Sequence, residues 1–341
     1  MKINRNIRIL IAGDWKYDIY EQALFDGFIH LGITPLKFSF SEYLKYPDVS
    51  ALRTLLLHRK QIEIVNKKLE EYSASVKPGL VFIQRPFFIS PETIKKIKNI
   101  SAVKIFGFHN DNPFANIKAK LKNYNYINSL KYYDTIFVYR PSNLNDVKKI
   151  TVKPVKILKP YYVHGMHKRY GRASKIIDVI FVGHSEKIRQ KFCKGLILNN
   201  IDLKVYGPGW RTDDVFTKNK NIFDPINSVD YAALLNRSKI ALAFLSKKNK
   251  DIYTRRNFEI TACGTFMLSE RTPELKEIFI EGKECDYFSS EEELLDKVKF
   301  YLKNSSVREK IALAGYNKCI KTRNSNIDRA RELLQHYASL N

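Results

Sequence analysis

The stretch KIALAFLSKKNKDIYTRRNFEITACGTFMLS, residues 239–269, contains two apolar segments separated by a polar loop and a short amphipathic segment. KIALAFL and TFMLS have the length and composition of buried strands. The pattern from about Arg255 predicts a short helix that ends at Gly264, where glycine can adopt a left-handed conformation. Strand, helix and strand in this order predict a parallel β-α-β unit. The helix should therefore begin at the carboxyl edge of a sheet.

The same alternation extends over most of the 341 residues. Further apolar strands are predicted at RILIAGD (8–14), GLVFIQ (79–84), VKIFGF (103–108), DTIFVY (134–139), DVIFVG (178–183) and DLKVYG (202–207). Because these strands are apolar throughout, they predict parallel sheets covered by helices on both faces. The chain is also too long for one ordinary core. We predict an α/β protein of two Rossmann-like, doubly wound domains that face one another across a cleft.

A proline-, tyrosine- and lysine-rich stretch, KPVKILKPYYVHGMHKRYGR, interrupts the alternation near the middle of the chain. We interpret it as the region of a linker, which predicts an N-terminal domain over 1–160, a linker over 161–175 and a C-terminal domain over 176–322. A last helix within 323–341 is expected to pack back on the N-terminal domain. Ligands in such a fold should bind in the cleft, at the carboxyl ends of the strands.

The chain has 59 lysine and arginine residues against 35 aspartate and glutamate residues, a formal net charge of +24. This excess implies an anionic partner: nucleotide phosphates, an acidic membrane surface or a nucleic acid. No apolar run approaches the roughly 20 residues of a membrane-spanning helix, and the first apolar stretch is too short for a signal peptide. The four cysteines lack metal-binding spacing. We expect a cytoplasmic protein.

The predicted helix after Tyr253 carries charged residues where it should enter the cleft. Its free N–H groups and positive dipole end favour a phosphate group. Arg255 and Arg256 add positive charge, and a guanidinium can bind two phosphate oxygens at once. Glu259, one turn further, has the chemistry to accept hydrogen bonds from a sugar diol; the alternative is that it pairs with one of the arginines. The position of the helix favours a nucleotide pocket.

RNFEITACGTFMLSERTPELKEIF resembles the C-terminal signature of the CgeB-like (spore-maturation-protein-like) glycosyltransferases, a branch of the group 1 enzymes with the GT-B fold. FGFHNDNPF, DVIFVGHSEKIR and KVYGPGW resemble further motifs of that family in the same order, so the resemblance covers about residues 80–320. It implies a glycosyltransferase that uses a nucleoside-diphosphate sugar and needs no metal or other cofactor. The absence of an Asp-x-Asp motif also favours GT-B over the metal-dependent glycosyltransferase fold.

The resemblance implies particular donor-binding residues. In related family 4 enzymes a glutamate five residues before the glycine of such a block binds the ribose, and Glu259 matches it. The partner glutamate expected eight residues earlier is replaced by Asp251, which departs from the pattern. The other expected donor contacts are Gly183 and Arg189 in the first loop of the second domain, Tyr206, Gly207 and Trp210 near the base, and Tyr253, Arg255, Arg256 and Asn257 around the helix start.

The first domain is expected to bind the acceptor. The residues that should project from it into the cleft follow two of its strands: Gly13, Asp14, His109, Asp111 and Asn112. If transfer inverts the sugar configuration, Asp111 or His109 is the candidate general base, whereas a retaining mechanism needs no such base. The alternative for Asp-Asn-Pro is a turn without a catalytic role.

The predicted acceptor is a cell-surface or lipid-linked glycan, used by a peripheral enzyme at the inner face of the cytoplasmic membrane. An amphipathic helix within 51–70 would present basic residues to anionic headgroups: Arg53, Arg59, Lys60, Lys67 and Lys68. Two alternatives stay open, a nucleic-acid-binding protein and a GT-B enzyme that glycosylates DNA, because basic residues interleave with tyrosines in LKNYNYINSLKYY. No nucleic-acid-binding fingerprint accompanies them, so nucleic acid is the less favoured partner.

Overall fold

The computed structural model describes residues 6–44, 59–100, 102–171 and 173–340. They form two compact units, Met1–Lys159 with Asn326–Asn341, and Pro160–Ser325. The chain leaves the first unit after residue 159 and returns to it for the last helix. The segment predicted as a linker, 161–175, falls in the second unit, where Tyr161, Val163 and His167 are buried.

The first unit contains a six-stranded parallel sheet in the order β2-β1-β3-β4-β5-β6. Its strands are β1 (Ile9–Gly13), β2 (Leu36–Ser39), β3 (Leu80–Gln84), β4 (Lys104–His109), β5 (Thr135–Val138) and β6 (Val155–Ile157). Its helices are α1 (Ala23–His30), α2 (Arg59–Val76), α3 (Pro91–Ile100), α4 (Ile117–Lys122), α5 (Tyr124–Ser129), α6 (Pro141–Lys148) and the last helix, α14 (Asn326–Ser339). A π-helical turn (Asp18–Gln22) precedes α1, and a 3-10 turn (Phe40–Glu42) follows β2. The strand order reverses between β1 and β3, which makes their carboxyl ends the switch point of this sheet.

The second unit contains a six-stranded parallel sheet in the order β12-β11-β10-β7-β8-β9. Its strands are β7 (Ile177–Val182), β8 (Leu203–Tyr206), β9 (Ile222–Phe223), β10 (Ser238–Ala243), β11 (Phe266–Glu270) and β12 (Asp286–Phe288). Its helices are α7 (Lys187–Leu198), α8 (Asp214–Lys218), α9 (Ser228–Asn236), α10 (Arg255–Ala262), α11 (Pro273–Ile278), α12 (Glu291–Lys303) and α13 (Ser305–Lys321). Counted from β7, this is the 3-2-1-4-5-6 order of the Rossmann fold, with its switch point between β7 and β10.

Every residue of β1, β3, β5 and β11 is buried. Helices cover both faces of such strands, which explains why their sequences are continuous apolar runs. All eight strands predicted from the sequence form, with bounds that differ by one or two residues. The four strands that were not predicted are β2, β6, β9 and β12, and these are the edge strands of the two sheets.

The last helix, α14, packs on α1 and on the sheet of the first unit. Asn326 Nδ2 donates to the carbonyl oxygen of Ala23 over 2.6 Å, and His336 Nε2 lies 2.7 Å from Thr135 Oγ1. Gly27 permits the close approach, because a Cβ atom there would lie 2.7 Å from the carbonyl oxygen of Asn326. Residues 326–339 are therefore part of the core of the first unit.

The predicted amphipathic helix is observed from Arg59 onwards, while 51–58, including Arg53, lies outside the described residues. Several of its cations form ion pairs within the helix: Arg59 with Glu63, and Lys67 and Lys68 with Glu71. Among the described helices, none combines the length and the apolar character that crossing a membrane requires.

Candidate active site

Helix α10 begins at the switch point of the second sheet. Thr254 N–H donates to Asn257 Oδ1 over 2.8 Å, which caps the start of the helix. Arg256 Nε donates to the carbonyl oxygen of Val182, the last residue of β7, over 3.0 Å. Since α10 also follows β10 in the chain, its first turn lies by the carboxyl ends of β7 and β10. This is where ligands bind in doubly wound sheets.

Glu259 lies one turn into α10 and is only 1% exposed. Its Oε1 accepts hydrogen bonds from Arg255 Nε (3.0 Å) and Nη2 (2.7 Å), and its Oε2 accepts one from Arg256 Nη1 (2.7 Å). The guanidinium groups also stack, Arg255 over Tyr161 and Arg256 over Tyr231. The pairing considered as the alternative for Glu259 is thus present. It does not exclude a ligand, because each carboxylate oxygen accepts more than one hydrogen bond.

The charges around Glu259 fix its protonation state. Burial would raise the pKa of Glu259, but Arg255 and Arg256, together with His167, outweigh it and hold the pKa at about 2. His167 Nε2 lies 3.9 Å from Glu259 Oε1, and its Nδ1 accepts a hydrogen bond from Val163 N–H. Burial lowers the pKa of His167 to about 4, and the two arginines add to that effect. At neutral pH the cluster contains a carboxylate, two guanidinium groups and a neutral imidazole.

Two residues predicted to bind the donor have structural roles instead. Asn257 is fully buried; its Oδ1 caps α10 and its Nδ2 donates to Ser269 Oγ over 2.9 Å. Trp210 is 1% exposed, packs against Phe181 and Phe216, and donates its indole N–H to the carbonyl oxygen of Gly183 over 2.8 Å. Neither side chain has a polar or aromatic surface left for a nucleotide, so both predictions are corrected.

The loops after β7 and β8 approach each other closely. Gly207 has φ +144°, and a Cβ atom on it would lie 2.2 Å from the carbonyl oxygen of Gly183. Only glycine fits at position 207. The contact with Gly183 explains the need for glycine there, and no ligand has to be invoked. Tyr206, at the end of β8, is partly exposed and stacks on Phe223 with ring centroids 4.6 Å apart. Of the predicted base contacts, Tyr206 alone presents an aromatic face at this edge.

The remaining predicted donor residues lie around the same edge. Arg189 is buried in α7, pairs with Glu186 over 2.9 Å and donates to the carbonyl oxygen of His184. Asp251 N–H donates to the carbonyl oxygen of Ser246, in the loop between β10 and α10. Tyr253 is buried in that loop. Their roles as donor contacts stay predictions.

Glu270 was not among the predicted residues, although it ends β11 at the same edge. It is 7% exposed, accepts a hydrogen bond from Leu245 N–H, and pairs with Lys247 over 3.0 Å. The sequence signal was its position directly after the apolar run FMLS. Across the described part of the chain, no three or more His, Cys, Asp or Glu side chains are grouped so as to hold a metal ion.

At the switch point of the first sheet, two carboxylates meet one guanidinium. Arg85, directly after β3, places Nη2 at 3.3 Å from Asp14 Oδ2 and at 3.8 Å from Glu21 Oε1. Glu21 Oε1 also accepts a hydrogen bond from Asp14 N–H over 3.2 Å. Gly13 makes room for this carboxylate, because a Cβ atom at 13 would lie 2.4 Å from Glu21 Oε1. The predicted residues Gly13 and Asp14 thus belong to a cluster with two residues that the sequence did not reveal.

The backbone around this cluster is strained. Arg85 has φ +47° and Trp15 has φ +56°, both in the left-handed region that non-glycine residues rarely occupy. Glu21 lies in the π-helical turn, a feature that is frequent at functional sites. Burial raises the pKa of Glu21, although Arg85 opposes that shift. Within the described residues, Glu21 Oε2 and Arg85 Nε have no hydrogen-bond partner. Strain and unsatisfied buried polar atoms together indicate a functional site.

The predicted catalytic pair after β4 separates into one buried and one accessible side chain. His109 is 2% exposed, its Nδ1 accepts a hydrogen bond from Asp111 N–H, and burial lowers its pKa to about 4. Its ring packs against Phe87 and Tyr126, so His109 is not placed to act as a general base. The Asp111 side chain is 41% exposed. Desolvation raises the pKa of Asp111, but His109, Lys122 and Arg85 lower it by more, so the net shift is downward.

Asn112, also predicted on the acceptor side, forms the turn that was considered as the alternative for Asp-Asn-Pro. It is 5% exposed, and its Oδ1 accepts hydrogen bonds from Phe114 N–H (3.0 Å) and Asn143 Nδ2 (2.8 Å). Its side chain holds the loop after β4 in shape. Its contact with the acceptor stays a prediction.

The fold and the site together define a class. Two Rossmann-like units with parallel sheets have the architecture of the GT-B fold. Residues 187–335, which include α10 and its arginines, match a family described as glycosyl transferase-like. This match and the GT-B fold together support a glycosyltransferase.

Solved structures with this architecture cover nearly the whole chain. Sucrose-phosphate synthase from Thermosynechococcus elongatus aligns with a TM-score of 0.73 at 10% identity, over 98% of this chain and 99% of the other. HepE from Anabaena, in complex with UDP-glucose, aligns with a TM-score of 0.68 at 8% identity, over 98% and 100%. A DNA-modifying β-glucosyltransferase aligns with a TM-score of 0.60 at 13% identity, over 97% and 100%. These likenesses show the shared fold. No curated protein sequence matches the chain.

Proposed function

We propose that this protein transfers a sugar from a nucleoside-diphosphate sugar to a hydroxyl group of an acceptor, without a metal ion. The observation that carries the proposal is the buried, ionised Glu259, held by Arg255 and Arg256 at the start of α10 and inside the segment that matches the glycosyl transferase-like family. A helix start with two guanidinium groups favours a diphosphate. A carboxylate beside it favours a diol.

Donor binding would rearrange this ion pair. The side chain of Arg256 is 28% exposed against 10% for Arg255, so Arg256 is the arginine that an entering ligand meets. We propose that Arg256 turns from Glu259 towards the diphosphate, while Arg255 keeps Glu259 in place. Glu259 Oε2 then becomes available to a ribose hydroxyl. As the bond to the sugar breaks, negative charge grows on the leaving diphosphate, and Arg256 with the N–H groups of α10 would stabilise it.

The acceptor would bind at the carboxyl edge of the first sheet. Asp14 and Asp111 present carboxylate oxygens there, and ionised carboxylates accept hydrogen bonds from sugar hydroxyl groups. Arg85 is the cation that holds Asp14. With His109 buried, Asp111 is our candidate for the general base of an inverting reaction.

The acceptor class rests on the resemblance to the CgeB-like branch and on charge. We propose a cell-surface or lipid-linked glycan and an enzyme bound peripherally at the inner face of the cytoplasmic membrane; the net charge of +24 supports an anionic surface as partner. Arg59, Lys67 and Lys68 pair with glutamates within α2, so this helix is a weaker candidate for the contact with the membrane surface. The alternative is DNA as acceptor, which the same charge and the fold of the DNA-modifying β-glucosyltransferase favour.

The decisive experiment is a thermal-shift panel of UDP, GDP, CDP, TDP and ADP with their common sugars, because a ligand of the native state raises the melting temperature. The stabilising nucleotide sugar is then titrated against Glu259→Gln, with Asp214→Asn as an exposed control. We expect Glu259→Gln to abolish binding and sugar release while its circular dichroism stays native. Unchanged binding by a folded Glu259→Gln variant refutes the donor site. Tight, salt-sensitive binding of duplex DNA without affinity for any nucleotide sugar refutes the proposed reaction.

A further inference from the structure

A cavity lies at the opposite edge of the second sheet from the proposed donor site. It has a volume of about 260 Å³ and lies where β10 and β11 begin and where α10 ends. Its lining includes four cationic side chains, from Arg169, Lys175, Lys239 and Arg308, and one carboxylate, from Glu309. None of these residues takes part in the proposed transfer reaction.

Two of the four cations, Lys239 and Arg308, already have partners within the protein. Lys239 Nζ lies 2.6 Å from Asp178 Oδ1 in a direct ion pair. Arg308, 4% exposed, donates to the carbonyl oxygen of Tyr301 and lies 3.8 Å from Glu309 Oε1. Both side chains are fixed by these partners and form the rigid part of the cavity wall.

The other two cations have no carboxylate within ion-pair distance among the described residues. Lys175 Nζ donates only to the neutral Thr265 Oγ1, over 3.3 Å. Arg169 lays its side chain over Gly264, where a Cβ atom would lie 2.8 Å from Arg169 Cδ. Burial chiefly, with Arg308 and Arg169 adding to it, lowers the pKa of Lys175 to about 8. Placing these positive charges close together around the cavity therefore costs free energy.

The walls that carry these cations are well fixed. Asn236 is buried and donates to the carbonyl oxygen of Lys168 over 2.9 Å, while its Oδ1 accepts from Tyr170 N–H over 2.7 Å. The chain on both sides of Arg169 is thereby tied to the end of α9. A preorganised wall lowers the entropy cost of binding a ligand.

We propose that this cavity binds a soluble phosphate monoester, with Arg169 and Lys175 as the groups that contact the phosphoryl oxygens. A phosphoryl group carries about two negative charges near neutral pH, which matches the two cations without carboxylate partners. Arg169 supplies paired donors to two oxygens, and Lys175 supplies a point charge from within the cavity. The volume leaves room for a small group attached to the phosphate.

The test measures binding of inorganic phosphate by isothermal titration calorimetry at pH 7 and constant ionic strength. Lys175→Met and Arg169→Met should each weaken phosphate binding about tenfold, since each removes one charge-assisted contact. Lys220→Met, which removes an exposed cation elsewhere in the unit, should leave binding unchanged. Equal weakening by Lys220→Met, or no binding by the wild type, overturns the proposal.

Two further arms separate this cavity from other anion sites. Arg256→Met should leave phosphate binding at the cavity intact, and Lys175→Met should leave nucleotide-sugar binding intact. If Arg256→Met abolishes all phosphate binding, the phosphate binds at the donor site and the proposal is overturned. Vesicles of phosphatidylcholine with phosphatidylglycerol test a headgroup as the source. If they bind through Lys175 while free phosphate does not, the soluble ligand is refuted.

Discussion

Arg85 Nη2 and Asp14 Oδ2 lie 3.3 Å apart and connect the carboxyl ends of β3 and β1 at the switch point of the first sheet. Glu21 lies on the other side of the same guanidinium, at 3.8 Å. Two acidic groups therefore depend on one cation that is held in a left-handed backbone conformation. The guanidinium group of Arg85 therefore contributes to the stability of the first unit and also holds Asp14 of the proposed acceptor site.

Arg85→Ala should destabilise the protein by about 3 kcal/mol or more, because removing one partner leaves buried charges uncompensated. Glu21→Gln should cost less, about 1–2 kcal/mol, because Arg85 keeps Asp14 as a partner. The penalty of Arg85→Ala should grow as pH rises, since Glu21 escapes part of it by taking up a proton at lower pH. Urea unfolding at pH 5 and pH 8 measures both effects. As a control, Arg59→Ala removes one partner of an exposed ion pair and should leave stability nearly unchanged. If Arg85→Ala and Arg59→Ala destabilise the protein equally, the stabilising role of the contacts of Arg85 with Asp14 and Glu21 is wrong.

Arg256→Met should weaken binding of the cognate nucleoside diphosphate about tenfold to a hundredfold, and Arg256→Lys should weaken it less, because lysine keeps the charge but loses the paired donors. The nucleoside without phosphates should bind equally to all variants. Calorimetric titration of the diphosphate and the nucleoside checks both expectations. Arg237→Met serves as the control at an exposed position of the same unit. If Arg256→Met binds the diphosphate as well as wild type does, the phosphate contact is wrong.

Three buried histidines should make the protein sensitive to mild acid. Burial lowers the pKa of His109, of His167 and of His336 to about 4 in the folded protein, whereas an unfolded histidine titrates near about 6.5. Between these values the unfolded state binds more protons, so the free energy of unfolding falls as pH falls from about 6.5 to about 4. Glu259, with a pKa of about 2, extends the loss from about pH 4.5 downwards.

Urea midpoints measured from pH 7 to pH 4 should decrease steadily. His167→Asn and His109→Asn should each reduce this slope, because the asparagine Oδ1 can accept the backbone hydrogen bond that Nδ1 accepts now and it does not titrate. Midpoints that stay constant over this range would rule out neutral buried imidazoles as the cause of acid sensitivity.

Two glycines inside helices should respond to alanine in opposite directions. Gly27→Ala should destabilise by about 1–3 kcal/mol, since the new Cβ atom meets the backbone of α14 at 2.7 Å. Gly195→Ala in α7 should stabilise by about 0.5–1 kcal/mol, because its Cβ atom meets only a side-chain oxygen at 3.4 Å and alanine favours helix. Thermal and urea unfolding measure both. A stabilising Gly27→Ala variant contradicts the packing of α14 on α1.

The sequence predicted the central strands because burial on both faces makes them continuous apolar runs. The edge strands escaped prediction because they are short: β9 has two residues, β6 and β12 have three each, and β2 has four. The start of α10 and the pairing partners of Glu259 could be foreseen, since both depend on spacing within one helix. Arg85 and Glu21 could not, because a left-handed backbone and a contact across strands depend on the assembled sheet. Spacing alone also cannot distinguish a cap such as Asn257, or a core residue such as Trp210, from a ligand contact.

The hydrogen bond between Ala23 and Asn326 joins residues 303 positions apart. During synthesis on the ribosome, α1 therefore cannot pack against α14 until all of the second unit has been made. Domains generally fold in order from the N-terminus, but here the second unit can be completed first. The side of α1 that α14 covers stays exposed meanwhile, which leaves the nascent first unit open to aggregation until synthesis is complete.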